Sequence, residues 1–219
     1  MSEKRGVGIE LSAASVASVL TCLFGIVFGI HFSRFFDLLH MYSFSADYNI
    51  TVDSYNRIIW WVGISQIVFY ALYGVLASAL MVRKKKFAII TLEIMCLVRC
   101  ISLALLFVIG FYLVFQIGFS FLMEIVTFIL IIHMNNTPQA LINNPDRWKT
   151  IGTVGVLSEC IPFVQYIQYV FDTNVSIVQS FTAVMVPIFV GVTIYALAFY
   201  FAYPYLPESI APDDEETEN

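Results

Sequence analysis

The sequence predicts an all-α integral membrane protein, a polytopic bundle of six transmembrane helices with both termini in the cytoplasm. Three observations support this prediction: the composition, the lengths of the apolar runs, and the distribution of basic residues between them. Hydrophobic residues make up 59% of the 219 residues and charged residues only 12%, and the mean hydropathy is +0.82. Soluble domains are about half apolar and about one quarter charged, so the composition argues against a soluble fold.

Three apolar runs are predicted to be membrane spans by length alone. A helix needs about 20 apolar residues to cross the hydrocarbon core of a bilayer. The runs 11–32, 58–82 and 181–202 meet this length and contain no Asp, Glu, Lys or Arg. Gln66 is the most polar residue of the second run.

A fourth apolar segment, 87–133, is too long to be one helix across a bilayer. Two helices in a tight hairpin fit it better. We therefore predict spans at 87–109 and 113–133, with the turn near Gly110.

A weaker run at 150–171 contains Glu159 and Pro162 together with two glutamines. Its polarity leaves three arrangements open: a span, a helix in the interface, or a re-entrant segment. The choice between six and four spans depends on this run and on the preceding one.

The basic residues between the runs favour six spans, because cytoplasmic flanks collect Lys and Arg. If all six runs cross, eight basic residues lie on the cytoplasmic side and two, Arg34 and Arg57, lie outside. The eight are Lys4, Arg5, Arg83, Lys84, Lys85, Lys86, Arg147 and Lys149. If the fourth and fifth runs do not cross, the ratio falls to six against four. Both arrangements keep the termini in the cytoplasm, and the four-span arrangement stays as the alternative.

These spans divide the chain into three parts. Residues 1–10 are predicted to be a cytosolic N-terminus, and 11–203 a single transmembrane domain. Residues 204–219 are predicted to be a disordered cytosolic tail, because they contain three prolines and six acidic residues.

Arg99 is the most unusual residue of the predicted spans. It lies near the centre of the third run, where an arginine costs about 2.5 to 3.5 kcal/mol on insertion scales. With a turn near Gly110, Arg99 and Glu124 lie at similar depth on antiparallel helices, each about 18 Å from the turn. The geometry that suits a guanidinium best is a bidentate pair with a carboxylate, in which two N–H groups donate to the two carboxylate oxygens. We therefore predict an Arg99–Glu124 ion pair.

Glu159 is predicted to join this layer if the fifth run spans. The layer then has one cation and two carboxylates, and like charges at short range favour a proton on one carboxylate. Two interpretations are open. The layer is a polar pathway for an ion, proton or anionic solute, or it is a buried ion pair that fixes which helices adjoin. The structural interpretation is preferred.

Gly25 and Gly29 form a G-x-x-x-G motif in the first run. Such motifs allow the backbones of two helices to approach closely. The partner is a second copy of the chain or, as we prefer, a neighbouring helix of the same chain. In addition, Asn49 and Asn174 begin N-glycosylation sequons that the six-span arrangement places outside the cytoplasm.

The sequence contains no catalytic signature, and no cofactor, metal or nucleic acid is predicted to bind. The expected partners are the lipid bilayer and other membrane helices, in a homo-oligomer or hetero-oligomer. We expect a non-enzymatic scaffold, trafficking or accessory subunit in the plasma membrane or an endomembrane. The alternative is a small transporter or channel that uses Arg99, Glu124 and Glu159.

Overall fold

The computed structural model describes residues 6–31, 52–109, 118–170 and 176–205. Every regular element in these ranges is helical. In chain order the helices are α1 (Gly6–Ile30), α2 (Val52–Met81), α3 (Lys85–Ile109), α4 (Phe119–Asn136), the short α5 (Pro138–Asn143), α6 (Arg147–Val170) and α7 (Ile177–Ala202), followed by one turn of 3₁₀ helix (Tyr203–Tyr205).

Five of these helices are long and apolar enough to cross a membrane. The candidate spans are Leu11–Ile30, Asn56–Met81, Lys85–Val108, Phe119–Asn136 and Ile177–Ala202. They correspond to five of the six predicted runs. The weaker run is also helical, as the 24-residue α6, but α6 is not among the five. The chain is therefore an all-helical protein whose apolar helices fit a multi-pass membrane protein.

Several helix ends differ from the sequence prediction. Helix α1 begins at Gly6, inside the segment predicted as a separate N-terminus, and α2 begins at Val52 rather than at 58. Hydropathy detects where hydrocarbon begins, whereas helical hydrogen bonding continues past that boundary. The predicted turn at Gly110 lies outside the described residues.

A capping box explains why α7 begins four residues before the predicted span. The Ser176 hydroxyl accepts a hydrogen bond from the Gln179 backbone N–H at 3.2 Å, and the Gln179 side chain accepts one from the Ser176 N–H at 3.1 Å. These two bonds satisfy donors that a helix start otherwise leaves free. The signal, Ser followed three residues later by Gln, is visible in the sequence.

The six long helices pack in a closed ring. Helix α1 contacts α2 and α7, and the other contacts between long helices are α2 with α3, α3 with α4, α4 with α6, α6 with α7, and α4 with α7. The shared core includes Phe69, Leu92, Phe128, Ile194 and Phe201, all of which are buried.

The outer surface of the ring is apolar as well. Leu23, Leu97, Phe107 and Val164 are each more than half exposed. A soluble bundle places polar residues on this face. An apolar face both inside and outside is the pattern of a helix bundle surrounded by lipid.

The G-x-x-x-G motif of α1 faces α2 of the same chain. A Cβ atom added at Gly29 would lie 2.9 Å from Ile67 Cγ1, and one added at Gly25 would overlap the ring of Tyr70. The preferred partner of the motif, a neighbouring helix of the same chain, is therefore the one present in the structure.

Candidate functional site: a buried polar layer between four helices

Arg99 lies in the middle of α3 with only 1% of its surface exposed. Its Nε atom forms an ion pair with Glu124 Oε2 on α4, and its Nη2 donates a hydrogen bond to Glu124 Oε1 at 3.1 Å. The predicted contact between Arg99 and Glu124 is thus present, and it engages both carboxylate oxygens. This two-point geometry is the strongest that an arginine makes with a carboxylate.

Gln66 on α2 supplies a partner for the remaining guanidinium nitrogen. Arg99 Nη1 donates to Gln66 Oε1 at 2.5 Å, and Gln66 is itself buried. The sequence singled out Gln66 as the most polar residue of its run but did not identify it as a partner of Arg99. Nη1 and Nη2 therefore each donate a hydrogen bond, and Nε makes the ion-pair contact with Glu124.

Two aromatic rings complete the surroundings of Arg99. The guanidinium carbon lies 3.4 Å from the ring centroid of Phe69 on α2 and 4.2 Å from that of Phe121 on α4. Cations are attracted to aromatic faces at such distances, most strongly when water is excluded. The guanidinium is therefore enclosed by protein groups from α2, α3 and α4.

A second polar contact joins α2 to α3 near this arginine. Ser102 Oγ lies 2.8 Å from Ser65 Oγ, and both side chains are buried. Since Ser65 precedes Gln66, and Ser102 lies one turn beyond Arg99, the two contacts form one continuous polar strip. The strip connects helices that otherwise pack through apolar side chains.

Glu159 on α6 forms the other side of the layer. It is 6% exposed, and its carboxyl group is within hydrogen-bonding range of the Glu124 carboxyl. Its Oε1 atom has no hydrogen-bond partner among the described residues. The structure thus brings all three predicted residues together, but of the two carboxyl groups the guanidinium binds only that of Glu124.

The layer has more acidic than basic groups. Arg99 offers one positive charge to the two carboxyl groups of Glu124 and Glu159. A proton or an added cation balances the second carboxyl group. The hydroxyl of Tyr73, which interacts electrostatically with both carboxyl groups, is buried and has no hydrogen-bond partner within the described ranges. Tyr73 was not predicted, because nothing in the sequence distinguishes it from other core tyrosines.

Glu159 also lines a cavity of about 850 Å³ between α6 and α7. Trp148 and Val156 on α6 contribute to one wall, and Gly191 and Tyr195 on α7 to the other. Ligand cavities commonly have 300 to 1,000 Å³ and apolar walls with a few polar groups. The cavity is the feature of this layer that the sequence did not predict.

The two predicted glycosylation acceptors, Asn49 and Asn174, lie outside the described residues. Within the described part of the chain, no group of three or more His, Cys, Asp or Glu residues is arranged to hold a metal ion. No protein-family model, curated protein or solved structure matches this chain.

Proposed function

We propose that this chain is a non-enzymatic membrane protein, a scaffold, trafficking or accessory subunit, in which the polar layer fixes the order of the helices. The observation that carries the proposal is the enclosure of Arg99 by Glu124, Gln66 and two aromatic rings. A guanidinium with every nitrogen occupied is suited to hold helices together and unsuited to exchange partners with a passing solute. Buried polar contacts of this kind add specificity to which helices adjoin.

The proposed topology has six spans, with α6 as the fifth and both termini in the cytoplasm. Helix α6 is about 36 Å long at 1.5 Å per residue, and it packs beside the candidate spans α4 and α7. Asn49 and Asn174 then face the lumen or the exterior of a plasma membrane or endomembrane. Glycosylation mapping with an acceptor site beside Arg147 tests this topology: we expect no glycan there, and a glycan would exclude six spans.

A small transporter or channel is the second candidate, and Glu159 is the observation that favours it. Its carboxyl group has a free oxygen, adjoins Glu124, and lines a cavity. Ionisable groups with these properties often lie on proton or solute pathways in membranes.

Flux through proteoliposomes distinguishes the two functions. For a scaffold, we expect proton and small-ion fluxes equal to those of liposomes without protein. Glu93 is an exposed carboxyl residue on α3, so Glu93→Gln is a matched control for Glu159→Gln. A flux above background that Glu159→Gln abolishes and Glu93→Gln preserves would replace the scaffold proposal with the transporter.

A further inference from the structure

The cavity between α6 and α7 is elongated, with an aromatic end and an acidic end. Trp148, at the start of α6, contacts Tyr195 and Phe199 on α7, with ring centroids 5.6 and 4.8 Å apart. Glu159 lies eleven residues further along α6, which corresponds to roughly 16 Å of helix axis. Residues of the α7 wall recur at spacings of three and four, from Pro187 to Phe199, so they lie on one face of that helix.

The two helices pack more tightly at Gly155 than at the cavity wall. A Cβ atom at Gly155 would overlap Ile194, whereas one at Gly191, on the cavity wall, would make ordinary contact with Val156 at 3.7 Å. Close packing at Gly155 holds α6 and α7 together. The cavity itself, of about 850 Å³, provides the space for an apolar body.

The charge at the acidic end selects the class of ligand. Arg99 binds both oxygens of Glu124, so Glu159 is the carboxyl group without a cation. Glu159 lines the cavity, and 94% of the residue's surface is buried. A buried carboxyl group without a cation is neutralised by a proton or paired with a cation that enters the site, and a protonated amine supplies both a charge and hydrogen bonds.

From these observations we propose that the α6–α7 cavity binds a lipophilic amine, with its ammonium group at Glu159 and its apolar body along the wall towards Trp148. An anionic amphiphile is disfavoured by the two carboxyl groups. A neutral amphiphile of the same shape fills the cavity but forms no ion pair with Glu159, which then keeps its proton. The proposal does not depend on the scaffold function.

Photolabelling of the full-length protein in lipid nanodiscs tests the proposal. Three probes with the same dodecyl chain and the same diazirine are compared: a primary amine, an alcohol and a carboxylic acid. Because a charge-assisted hydrogen bond in a buried site is worth about a factor of ten or more in affinity, we expect amine labelling of α6 and α7 to exceed alcohol labelling by about tenfold.

Two kinds of variant distinguish the contribution of the Glu159 carboxylate from that of the cavity volume. Glu159→Gln keeps the shape of the side chain and should reduce amine labelling to the alcohol level, whereas Glu93→Gln should not change it. Val192 lines the cavity, so Val192→Trp should lower labelling by both amine and alcohol. Ile90→Trp is its control, since Ile90 is similarly exposed on α3.

Two outcomes would overturn the proposal. Equal labelling of the native protein by the three probes would mean that they only partition into the bilayer. An amine preference that persists in Glu159→Gln would place the ammonium elsewhere. If Glu159→Gln does not fold, two other measurements test the proposal. The native protein should be labelled more by the amine than by the alcohol or the acid, and Val192→Trp should lose this labelling; the absence of either result would overturn the proposal.

Discussion

Glu124 and Glu159 are two buried carboxyl residues in one layer, and they have opposite surroundings. Glu124 faces α3, where the guanidinium of Arg99 occupies both of its oxygens. Glu159 faces the α6–α7 side, where it borders a cavity and has no ion-pair partner among the described residues. Burial alone therefore does not define the role of a carboxyl group in this bundle. The role depends on whether a cation from a neighbouring helix is within bonding distance.

The packing of the helices differs in the same way between the α2–α3–α4 side and the α6–α7 side. On the α2–α3–α4 side, polar contacts, aromatic rings and apolar residues leave the charged group enclosed. On the α6–α7 side, packing is very close at Gly155 and of ordinary contact distance at Gly191, beside a cavity of about 850 Å³. Helices α2, α3 and α4 are held together by the contacts of Arg99, whereas helices α6 and α7 have a cavity between them.

Removing the arginine should give the largest effect. Arg99→Leu leaves the Glu124 carboxyl and the Gln66 amide buried without their partner. Breaking a buried ion pair by removing one member typically costs about 3 to 5 kcal/mol. We expect a loss of this size in the free energy of unfolding, measured by SDS titration in mixed micelles. Unchanged stability would mean that the enclosed side contributes nothing to the fold.

The matched pair Glu124→Gln and Glu159→Gln compares the two sides directly. Glu124→Gln weakens hydrogen bonds to a charged group, which are worth about 1.5 to 3 kcal/mol, and should destabilise the protein by that amount. Glu159→Gln removes a charge that has no cation and should leave stability unchanged or raise it. Equal losses in the two variants, under the same titration, would contradict the distinction between them.

A glycine pair tests the packing on the open side. Gly155→Ala places a Cβ atom against Ile194 and 2.9 Å from Thr127 Cγ2, and overpacking of this kind costs about 1 to 3 kcal/mol. Gly191→Ala has room and should be neutral or stabilising by about 0.5 to 1 kcal/mol, because alanine favours helix. Thermal unfolding monitored by size-exclusion chromatography provides the measurement, and a reversed order would contradict the described contact.

An exposed ion pair should give the smallest effect. Lys149 lies 2.7 Å from Asp146, and both are largely exposed. The hydrogen bond from Lys149 to Asp146 raises the pKa of the lysine. Because that pKa is raised, any stabilisation is complete below the ordinary lysine pKa and is lost only as the pH rises through the folded value. Exposed ion pairs contribute little to stability even where both groups are charged, so Asp146→Asn should leave the melting temperature nearly unchanged at pH 7, and a clear fall would contradict the contrast between buried and exposed pairs.

The sequence predicted the positions of residues along the helix axes better than the directions in which their side chains point. Counting residues from the expected turn placed Arg99 and Glu124 at one level, and the ion pair is present there. Rotation about the helix axes cannot be counted in this way, so Gln66 and Phe121 were not identified as partners of Arg99. Apolar run lengths located five candidate spans, but they did not reveal the early start of α2 or the short helix α5, whose signals are polar.

The cavity and the ring closure were beyond prediction for a related reason. Both depend on contacts between helices distant in sequence, such as α1 with α7. Gly155 and Gly191 look alike in the sequence, although a Cβ atom at Gly155 would overlap Ile194 and one at Gly191, on the cavity wall, would make an ordinary contact with Val156. Only the packing of their partners separates them.

A double-mutant cycle on Arg99 and Glu124 tests the central claim most directly. The free energy of unfolding is measured for the native protein, Arg99→Leu, Glu124→Leu and the double variant. If the pair fixes the packing of the helices, the double variant should be more stable than Arg99→Leu, because it no longer contains the Glu124 carboxyl group that loses its partner in Arg99→Leu. Strictly additive losses would contradict the account, since they would mean that Arg99 and Glu124 stabilise the bundle independently.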